Sequence, residues 1–267
     1  MKYSIIDSHT HIYSYTDNEL IEILQRSKSL GVNTVIDSAV DIKSAHRIDK
    51  LTKIHKNIYG GAGMHPQNLV SEINENEIRS LYELITNNKK FIVVSEIGLD
   101  FQDTSPDRNI QYNAFRKQIG IARELNKPII FHSRLAIQET IKILKQERAF
   151  EVGGAMHYFQ SNNEIAKQII DLGFKISFGK PLLRNINLEK VVKNIPLNNI
   201  IVETDSAPQP FKKNRAKWTE PKDCKSIIEK IANIKALDEC EVQNQIFKNT
   251  FKMLKNGSKW LNTNDFN

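Results

Sequence analysis

The stretch Ile5-Ile6-Asp7-Ser8-His9-Thr10-His11 begins as a hydrophobic run and ends in two histidines. Side chains alternate faces along a strand, so residues two positions apart point the same way. His9 and His11 can therefore direct two imidazoles at one point. Four later hydrophobic runs also end in a histidine or a carboxylate, at Glu96, His132, His157 and Asp205. Imidazole and carboxylate groups are the ligands of hydrolytic divalent-metal sites, and barrel enzymes carry such groups at their strand ends.

The rest of the chain alternates strand-like and helical segments. Strands that are often hydrophobic on both faces, as in a buried parallel sheet, are predicted at 3–8, 32–39, 58–64, 91–97, 128–132, 154–158, 174–178 and 200–205. Amphipathic helices are predicted over 18–30, 109–126, 162–172 and, last, 240–256. Eight such units predict one α/β domain over residues 1–267, a (β/α)8 TIM barrel with a metal site at the carboxyl ends of its strands. The polar tail, 257–267, is expected to fray.

Composition narrows the setting of the protein. Hydrophobic residues make up 40% and charged residues 26% of the chain, as in soluble globular proteins, and no hydrophobic run is long enough to span a membrane. Strand-like sequence begins at Tyr3, which leaves no room for a signal peptide. The two cysteines, Cys224 and Cys240, lie in helical segments, so a reducing cytoplasm is expected. The net charge of +7 favours an anionic substrate such as nucleic acid, although lysines solvating helix surfaces give the same charge.

The seven histidines divide into two groups by their context. His46 and His55 lie on a polar helical stretch and are predicted to be surface residues. The other five end predicted strands: His9, His11, His65, His132 and His157. One buried histidine is more often a hydrogen-bonded core residue than a ligand, but polar groups clustered at a barrel end cost several kcal/mol unless something such as a metal ion satisfies them. Glu96 and Asp205, alternatively helix N-caps or salt-bridged carboxylates, are interpreted as ligands beside these histidines.

Six short motifs occur in a fixed order along the chain. They are Asp7-Ser8-His9-Thr10-His11, Gly63-Met64-His65-Pro66, Ser95-Glu96-Ile97-Gly98-Leu99-Asp100, Pro128-Ile129-Ile130-Phe131-His132-Ser133-Arg134, His157-Tyr158-Phe159 and Glu203-Thr204-Asp205. This series resembles the motifs of the TatD-related DNase family, metal-dependent hydrolases of amidohydrolase type. The resemblance extends from about residue 3 to residue 251. Any one motif is weak, since His-x-His is common, but six in order are specific.

The resemblance implies two divalent metal ions per chain. One would be held by His9, His11, Glu96 and Asp205. The second would be held by Glu96, as a bridge between the two ions, together with His132 and His157. Magnesium, manganese and zinc all stay open as the metal, because imidazole suits transition metals and Mg²⁺ prefers oxygen ligands, whereas the resemblance implies activity with Mg²⁺ or Mn²⁺.

Further residues acquire catalytic roles from the resemblance and from their chemistry. His65 and Arg134 stand where family members approach the scissile phosphate, and Asp100 stands where an acid orients a metal ligand. An arginine can donate two parallel hydrogen bonds to a phosphate, although a salt bridge across the barrel rim is the alternative for Arg134. With Glu96 as the central ligand, Asp205 at the barrel mouth can act as both ligand and general base toward the attacking water.

The segment after Asp205 departs from the family pattern. Ser206-Ala207-Pro208-Gln209-Pro210 has one residue more than the equivalent segment of many members, and only the Glu-Pro portion of 215–221 fits an Arg-Asn-x-Pro stretch. The basic loop 211–218 offers four cations and two aromatic rings to a nucleic-acid strand. The alternative is an exposed lysine-rich loop with Trp218 packed on a neighbouring helix. Substrate preference depends on this region.

These observations predict a metal-dependent deoxyribonuclease, a two-metal hydrolase that cleaves phosphodiester bonds in single-stranded or frayed DNA. The resemblance alone implies the 3′-5′ exonuclease direction, and a monomer is expected for this architecture. A small-molecule hydrolase of amides, esters or lactones with the same two-metal site is the second hypothesis. A non-catalytic barrel that binds nucleic acid or a protein partner is the third, and the intact set of ligands argues against it.

Overall fold

The computed structural model describes residues 3–255, 258–259, 261 and 263–266, and within them one parallel sheet curls into a barrel. The eight strands of this part of the chain are β1 Ile5–Thr10, β2 Val32–Ser38, β3 Ile58–Gly61, β4 Phe91–Asp100, β5 Ile129–Arg134, β6 Gly154–Met156, β7 Phe174–Phe178 and β8 Ile200–Val202. Each strand pairs in parallel with the next one along the chain. Thr10 and Ser206 bridge β1 to the segment after β8. The predicted (β/α)8 TIM barrel is confirmed.

Helices follow the strands and surround the barrel. They are α1 Asp17–Ser29, α2 Ile42–Ile54, α3 Glu75–Asn87, α4 Arg108–Glu124, α5 Ile137–Gln146, α6 Asn163–Asp171, α7 Ile186–Asn194, α8 Cys224–Lys235 and α9 Glu239–Lys255. The four helices predicted from sequence match α1, α4, α6 and α9 within two residues at each described end. Residue 256, the predicted end of the last helix, lies outside the described residues. Gly31 and Gly173, with φ of 83° and 87°, follow α1 and α6 because glycine adopts positive φ without strain.

The predicted strands differ from the observed strands mainly at their carboxyl ends. Strands β1, β4 and β5 run two or three residues beyond the prediction, whereas β3, β6 and β8 end two or three residues early. Tyr158 and Asp205 follow β6 and β8 with φ of 47° and 54°. These left-handed conformations end the extended backbone. His157 and Asp205 therefore lie in the segments that follow their strands.

The hydrophobic core forms two clusters. The larger one lies between the sheet and the surrounding helices. The second contains strand residues that come before the polar strand ends, namely Ile6, Ile36, Tyr59, Ile92, Val93, Ile130, Ala155 and Ile201, together with residues of α9 and the tail. The amino end of the barrel is thus filled by hydrophobic side chains, and the carboxyl end is left to polar ones.

The prediction that the tail frays is wrong for Ser258, Leu261 and Phe266. All three are fully or almost fully buried, and Leu261 and Phe266 belong to the cluster at the amino end of the barrel. The ring of Phe266 stacks on Tyr59 at a centroid distance of 5.0 Å. Burial of these side chains offsets the conformational freedom that a polar tail would keep. Gly257, Trp260, Asn262 and Asn267 lie outside the described residues.

The structure also shows the exposure of two histidines, the state of the two cysteines and the character of the helices. His46 is exposed and His55 is half-buried, at α2 and directly after it. Cys224 and Cys240 lie at the start of α8 and in α9, and both are free thiols. Among the described residues, no helix combines the length and the apolar character needed to cross a membrane.

Candidate metal centre

The carboxyl mouth of the barrel gathers the imidazole and carboxylate groups that the sequence places at strand ends. Strands β1, β4 and β5 carry His9, Glu96 and His132. The chain just after β1, β3, β6 and β8 adds His11, His65, His157 and Asp205. The side chain of Glu96 is only 3% exposed and contacts the histidines from both of its oxygens. The structure therefore brings together all seven of these predicted residues.

One oxygen of Glu96 faces what we call the first set, His9, His11 and Asp205. The Oε2 atom of Glu96 lies 3.3 Å from His9 Nε2 and 3.2 Å from His11 Nε2. These two ring nitrogens are 3.2 Å apart, as alternation along a strand predicts. Asp205 Oδ1 lies 3.3 Å from His11 Nε2 and 4.0 Å from His9 Nε2. Four ligand-type atoms thus surround one point.

The other oxygen of Glu96 faces the second set, His132 and His157. The Oε1 atom lies 3.2 Å from His132 Nδ1 and 2.9 Å from His157 Nε2, and the two nitrogens are 3.3 Å apart. Ligand atoms that bind one ion at about 2.0–2.2 Å lie roughly 3.0–3.5 Å from one another. Both sets have this spacing, so each set, together with the Glu96 oxygen that faces it, could hold a divalent ion.

The hydrogen bonds of the outer ring nitrogens prepare His11 and His157 for metal binding. Nδ1 of His11 lies 2.8 Å from the carbonyl oxygen of Ser38, and Nδ1 of His157 lies 3.2 Å from Glu203 Oε1. A neutral imidazole that donates from Nδ1 keeps its lone pair on Nε2. In both rings Nε2 is the atom that faces Glu96. The tautomer that these bonds select is the one that a metal ion requires.

The ring of His132 has the opposite orientation, with Nδ1 instead of Nε2 facing Glu96, but it also keeps a lone pair on the nitrogen that faces Glu96. Its Nε2 lies 2.9 Å from Asp100 Oδ2, so this nitrogen donates and Nδ1 keeps the lone pair that faces Glu96. Asp100 is fully buried and also accepts a 2.7 Å hydrogen bond from Arg134 Nε. Burial opposes the ionisation of Asp100, but the hydrogen bonds from His132 and Arg134 hold its pKa well below the usual range. Asp100 therefore orients His132 as a permanent carboxylate.

His65 differs from the two sets in its hydrogen bonding. Its Nδ1 accepts a 3.1 Å hydrogen bond from the backbone N–H of Gln67. The neutral ring then carries its proton on Nε2, which lies 3.3 Å from Glu96 Oε1. A protonated nitrogen cannot bind a metal ion, but it can donate to a substrate oxygen. His65 is thus built as a hydrogen-bond donor at the edge of the site.

Arg134 lies in the salt bridge that the sequence left as an alternative. Its Nη2 and Nε atoms are 2.6 and 2.7 Å from Asp100 Oδ2. The side chain is 42% exposed and lines the same cleft as the histidines. The ion pair fixes the direction of the guanidinium group and leaves one edge of it facing the cleft.

The charges of the two central carboxylates follow from their neighbours. Burial opposes ionisation of Glu96, yet the histidines, led by His157, hold its pKa well below the usual range. Burial also opposes ionisation of Asp205, but the interactions with His11 outweigh the effect of burial and keep the pKa of Asp205 low. Both groups are therefore carboxylates at neutral pH, which is the form that binds divalent cations.

Three buried polar residues that orient the site were not predicted to have a role. Ser38 Oγ lies 3.1 Å from His9 Nδ1, and Glu203 bonds His157. Asp7 accepts hydrogen bonds from the backbone N–H groups of His9 and Thr204, at 3.3 and 3.0 Å, and so joins β1 to the segment after β8. Each of the three stands within or at the end of a predicted strand, so a polar residue in a hydrophobic run was the available signal.

A cleft of about 670 Å³ opens above the metal-type ligands. His65, Arg134 and Tyr158 line it on the barrel side, and Gln209 and Phe211 line it from the loop after β8. Asp205 is 31% exposed, the most exposed member of the two sets and the one nearest to solvent in the cleft. The site can therefore admit a substrate from the carboxyl face of the barrel.

Trp218 is packed against the protein, as the alternative interpretation of the basic loop has it. Its Nε1 donates a 3.1 Å hydrogen bond to the carbonyl oxygen of Lys212, and its ring lies 6.3 Å from that of Tyr15. The guanidinium of Arg215 lies 4.4 Å from the ring centroid of Trp218 and bonds Glu220 at 3.0 Å. Arg215 and Trp218 are thus held against the rest of the protein, while Phe211 remains exposed.

The comparison with protein families agrees with this geometry. The family described as TatD related DNase matches residues 6–255. The chain belongs to the TatD-related DNase family. It is 32% identical over 257 residues to YabD of Bacillus subtilis, described as an uncharacterized metal-dependent hydrolase, and the match covers 94% of this chain and 99% of that one. Membership of the TatD-related family makes the chain a metal-dependent hydrolase.

Solved structures of TatD-related and more distant proteins share the fold. The TatD homologue YJJV of Escherichia coli superposes with a TM-score of 0.84 at 22% identity, over 93% of this chain and 97% of that one. The lactonase Lmo2620 of Listeria monocytogenes superposes with a TM-score of 0.69 at 18% identity, over 91% and 92% of the two chains. At these identities the likeness concerns the barrel alone.

Proposed function

We propose that this protein is a two-metal deoxyribonuclease that hydrolyses phosphodiester bonds. The observation that carries the proposal is Glu96, whose Oε2 faces His9 and His11 while its Oε1 faces His132 and His157. A carboxylate shared in this way is suited to two ions held close together, the arrangement used for in-line displacement at phosphorus. The match to the TatD-related DNase family supports DNA as the substrate.

The two sets of residues would hold the ions, with Mg²⁺, Mn²⁺ and Zn²⁺ as candidates. Bound divalent ions supply Lewis acidity, which polarises a phosphoryl oxygen and makes water easier to deprotonate. The buried carboxylate of Glu96 and the hydrogen-bonded rings of His132 and His157 keep the donor atoms in fixed directions. Fixed donors reduce the reorganisation needed during the reaction.

The residues around the ions carry out the remaining steps of hydrolysis. Asp205, a carboxylate that borders the cleft, accepts the proton of the attacking water as general base. His65 donates from Nε2 to an oxygen of the scissile phosphate, since its Nδ1 is occupied by the N–H of Gln67. Arg134, held by Asp100, presents its free edge to the same phosphate.

The proposed substrate is single-stranded or frayed DNA, degraded from its 3′ end. The exposed ring of Phe211 in the lining of the cleft supports an unpaired strand. The 3′-5′ direction is carried over from the family resemblance. We further propose a monomer in a reducing, cytoplasmic setting, because both metal-type sets come from one chain and both cysteines are free.

A hydrolase of small amides, esters or lactones is the second candidate. The observation that favours it is the loop after β8, whose residues Ala207, Pro208 and Gln209 line the cleft with a sequence that departs from many family members. The same residues that activate water toward phosphorus can do so toward a carbonyl carbon. Lmo2620, a lactonase, shares the barrel.

The test compares wild type with Glu96→Gln and Asp205→Asn on oligonucleotides labelled at the 3′ or the 5′ end, over a series of added metals. Glu164→Gln is the control, since Glu164 is an exposed acid on α6. We expect metal-dependent release of single 3′ nucleotides by wild type and control, and a loss of about 100-fold or more in both site variants, as for removal of a group that acts on the transition state.

Two outcomes contradict this proposal. If Glu96→Gln hydrolyses the oligonucleotides at the wild-type rate, the assignment of the site is wrong. If wild type efficiently hydrolyses members of a panel of esters, amides or lactones and does not cleave DNA, the nuclease proposal is wrong and the second candidate is supported.

A further inference from the structure

Two large hydrophobic side chains stand exposed beside the metal-type ligands. Leu135, directly after β5, and Phe211, in the loop after β8, are each 77% exposed. Both line the cleft that contains Glu96 and Asp205. Leaving such side chains in water is unfavourable, so their position in the lining of a substrate cleft indicates a ligand with apolar faces.

The backbone around Phe211 is held in place. Gln209 Oε1 accepts hydrogen bonds from Lys212 Nζ at 2.7 Å and from the backbone N–H of Thr219 at 2.9 Å. The carbonyl oxygen of Lys212 accepts from Trp218 Nε1. These bonds tie both flanks of Phe211 to the end of the loop, which fixes the exposed ring at the cleft without burying it.

Leu135 is also held in a specific conformation. Its φ of 54° lies in the left-handed region, which non-glycine residues adopt at a cost. Arg134 on one side is bonded to Asp100, and Ala136 on the other side is buried. The backbone strain is thus maintained by neighbours that fix the direction of the Leu135 side chain.

Lys212, the residue after Phe211, carries a positive charge close to the exposed ring. Lys212 Nζ is 5.8 Å from the centroid of the Phe211 ring. Partial burial and the nearby charges of Lys180 and Arg184 lower the pKa of Lys212. Lys180 is paired with Asp223 at 2.6 Å, and Arg184 is exposed. A phosphate bound here would relieve the repulsion among these positive charges.

We propose that these residues form a nucleotide subsite beside the metal centre, in which Phe211 and Leu135 hold an unpaired base and Arg184 and Lys212 bind its phosphate. The inference rests on the proposed nuclease function and adds the residues that select an unpaired strand. A base offers flat faces to apolar side chains only when it is not stacked within a duplex. The nucleotide concerned is the one adjoining the scissile phosphate.

The first experiment measures kcat/KM on single-stranded oligonucleotides that carry a normal or an abasic nucleotide at each position near the cleaved end. We expect wild type to lose about 5- to 150-fold at one position when the base is missing, the range for one stacked base. Phe211→Ala should cleave normal and abasic strands equally, and Phe211→Trp should restore the preference. Ile54→Ala is the control, because Ile54 is 70% exposed at the end of α2.

The second experiment tests the phosphate contacts. A single neutral methylphosphonate at the same nucleotide should lower kcat/KM of wild type by a larger factor than that of Arg184→Ala, which keeps only the contact from Lys212. Arg184→Ala should also reduce the slope of log kcat/KM against log salt by about one. Lys190→Ala, an exposed cation on α7, serves as the control.

The outcomes separate the two proposals. If wild type hydrolyses normal and abasic strands equally well at every position, the subsite is wrong and the nuclease stands. If Phe211→Ala keeps the wild-type preference, the assignment of Phe211 is wrong. If wild type hydrolyses no oligonucleotide with any metal, the nuclease proposal fails and this inference fails with it.

Discussion

A single hydrogen bond to the outer nitrogen of a ring distinguishes the histidines of this site. In its neutral form His157 donates from Nδ1 to Glu203, so its inner nitrogen keeps a lone pair. His65 accepts at Nδ1 from Gln67, so its inner nitrogen carries a proton. Both inner nitrogens lie within 3.3 Å of the same Glu96 oxygen. Two histidines at similar distances from Glu96 therefore do not have the same function.

We predict that His65→Ala retains its metal while His157→Ala does not. Loss of a donor to the developing charge should lower kcat of His65→Ala by about 100-fold or more, whereas loss of a ligand should lower the metal content of His157→Ala. Metal analysis by mass spectrometry and hydrolysis rates measure the two effects, with the exposed His46→Ala as control. Equal metal loss in both variants would show that His65 is a ligand.

The sequence predicted the inner residues of the site better than the outer ones. His9 and His11 follow from the two-residue period of a strand, which is a local property. The partners Ser38 and Glu203 contact their histidines across 27 and 46 positions of sequence. Such contacts depend on strand register, which a single sequence does not specify.

At the scale of elements, the loop after β8 is anchored to α1 by one buried carboxylate. Glu220 accepts two 2.9 Å hydrogen bonds from Arg26 of α1 and one of 3.0 Å from Arg215. Its side chain is 4% exposed. Sequence comparison found that only the Glu-Pro portion fitted the family pattern, and the structure gives this glutamate a role in holding the loop beside the cleft.

We predict that Glu220→Gln destabilises the protein by about 2 kcal/mol near neutral pH, the scale of hydrogen bonds to charged groups. Burial opposes ionisation of Glu220, but Arg26 and Lys222 outweigh it and lower its pKa to about 2. A lowered pKa contributes stability above the unfolded value, about 4.3, and this contribution is lost as pH falls toward 2. Urea unfolding at pH 7 and pH 3 should therefore show a smaller gap between wild type and variant at pH 3. A gap that widens at pH 3 would contradict the argument.

At the scale of the whole molecule, the two ends of the barrel differ in the polarity of the side chains that fill them. Polar groups fill the carboxyl end, while hydrophobic side chains from the strands, α9 and the tail fill the amino end. The sequence predicted the first end because its ligands end conspicuous hydrophobic runs. The second was missed because Leu261 and Phe266 lie in a mostly polar segment, and the ring on which Phe266 stacks, Tyr59, is about two hundred residues away.

We predict that Phe266→Ala lowers the free energy of unfolding by about 3–5 kcal/mol, the usual cost of removing a buried ring. Its stacking on Tyr59 and its edge contact with Phe251 are lost. Metal content and kcat of the folded variant should equal those of wild type, because the site lies at the opposite end. Thermal unfolding and hydrolysis rates measure both effects. A variant of unchanged stability would mean that the tail is dispensable.

The closure of the barrel and the assembly of the site depend on the same backbone contacts. His9 O accepts from the N–H of Asp205 at 3.0 Å, and Ser206 O accepts from the N–H of His11 at 2.8 Å. During synthesis, His9 and His11 leave the ribosome near the beginning and Asp205 only after three quarters of the chain. The second set, from β5 and the segment after β6, is complete about fifty residues earlier. A growing chain can thus bring the second set together before the first set, because the first set is complete only when the segment after β8 pairs with β1.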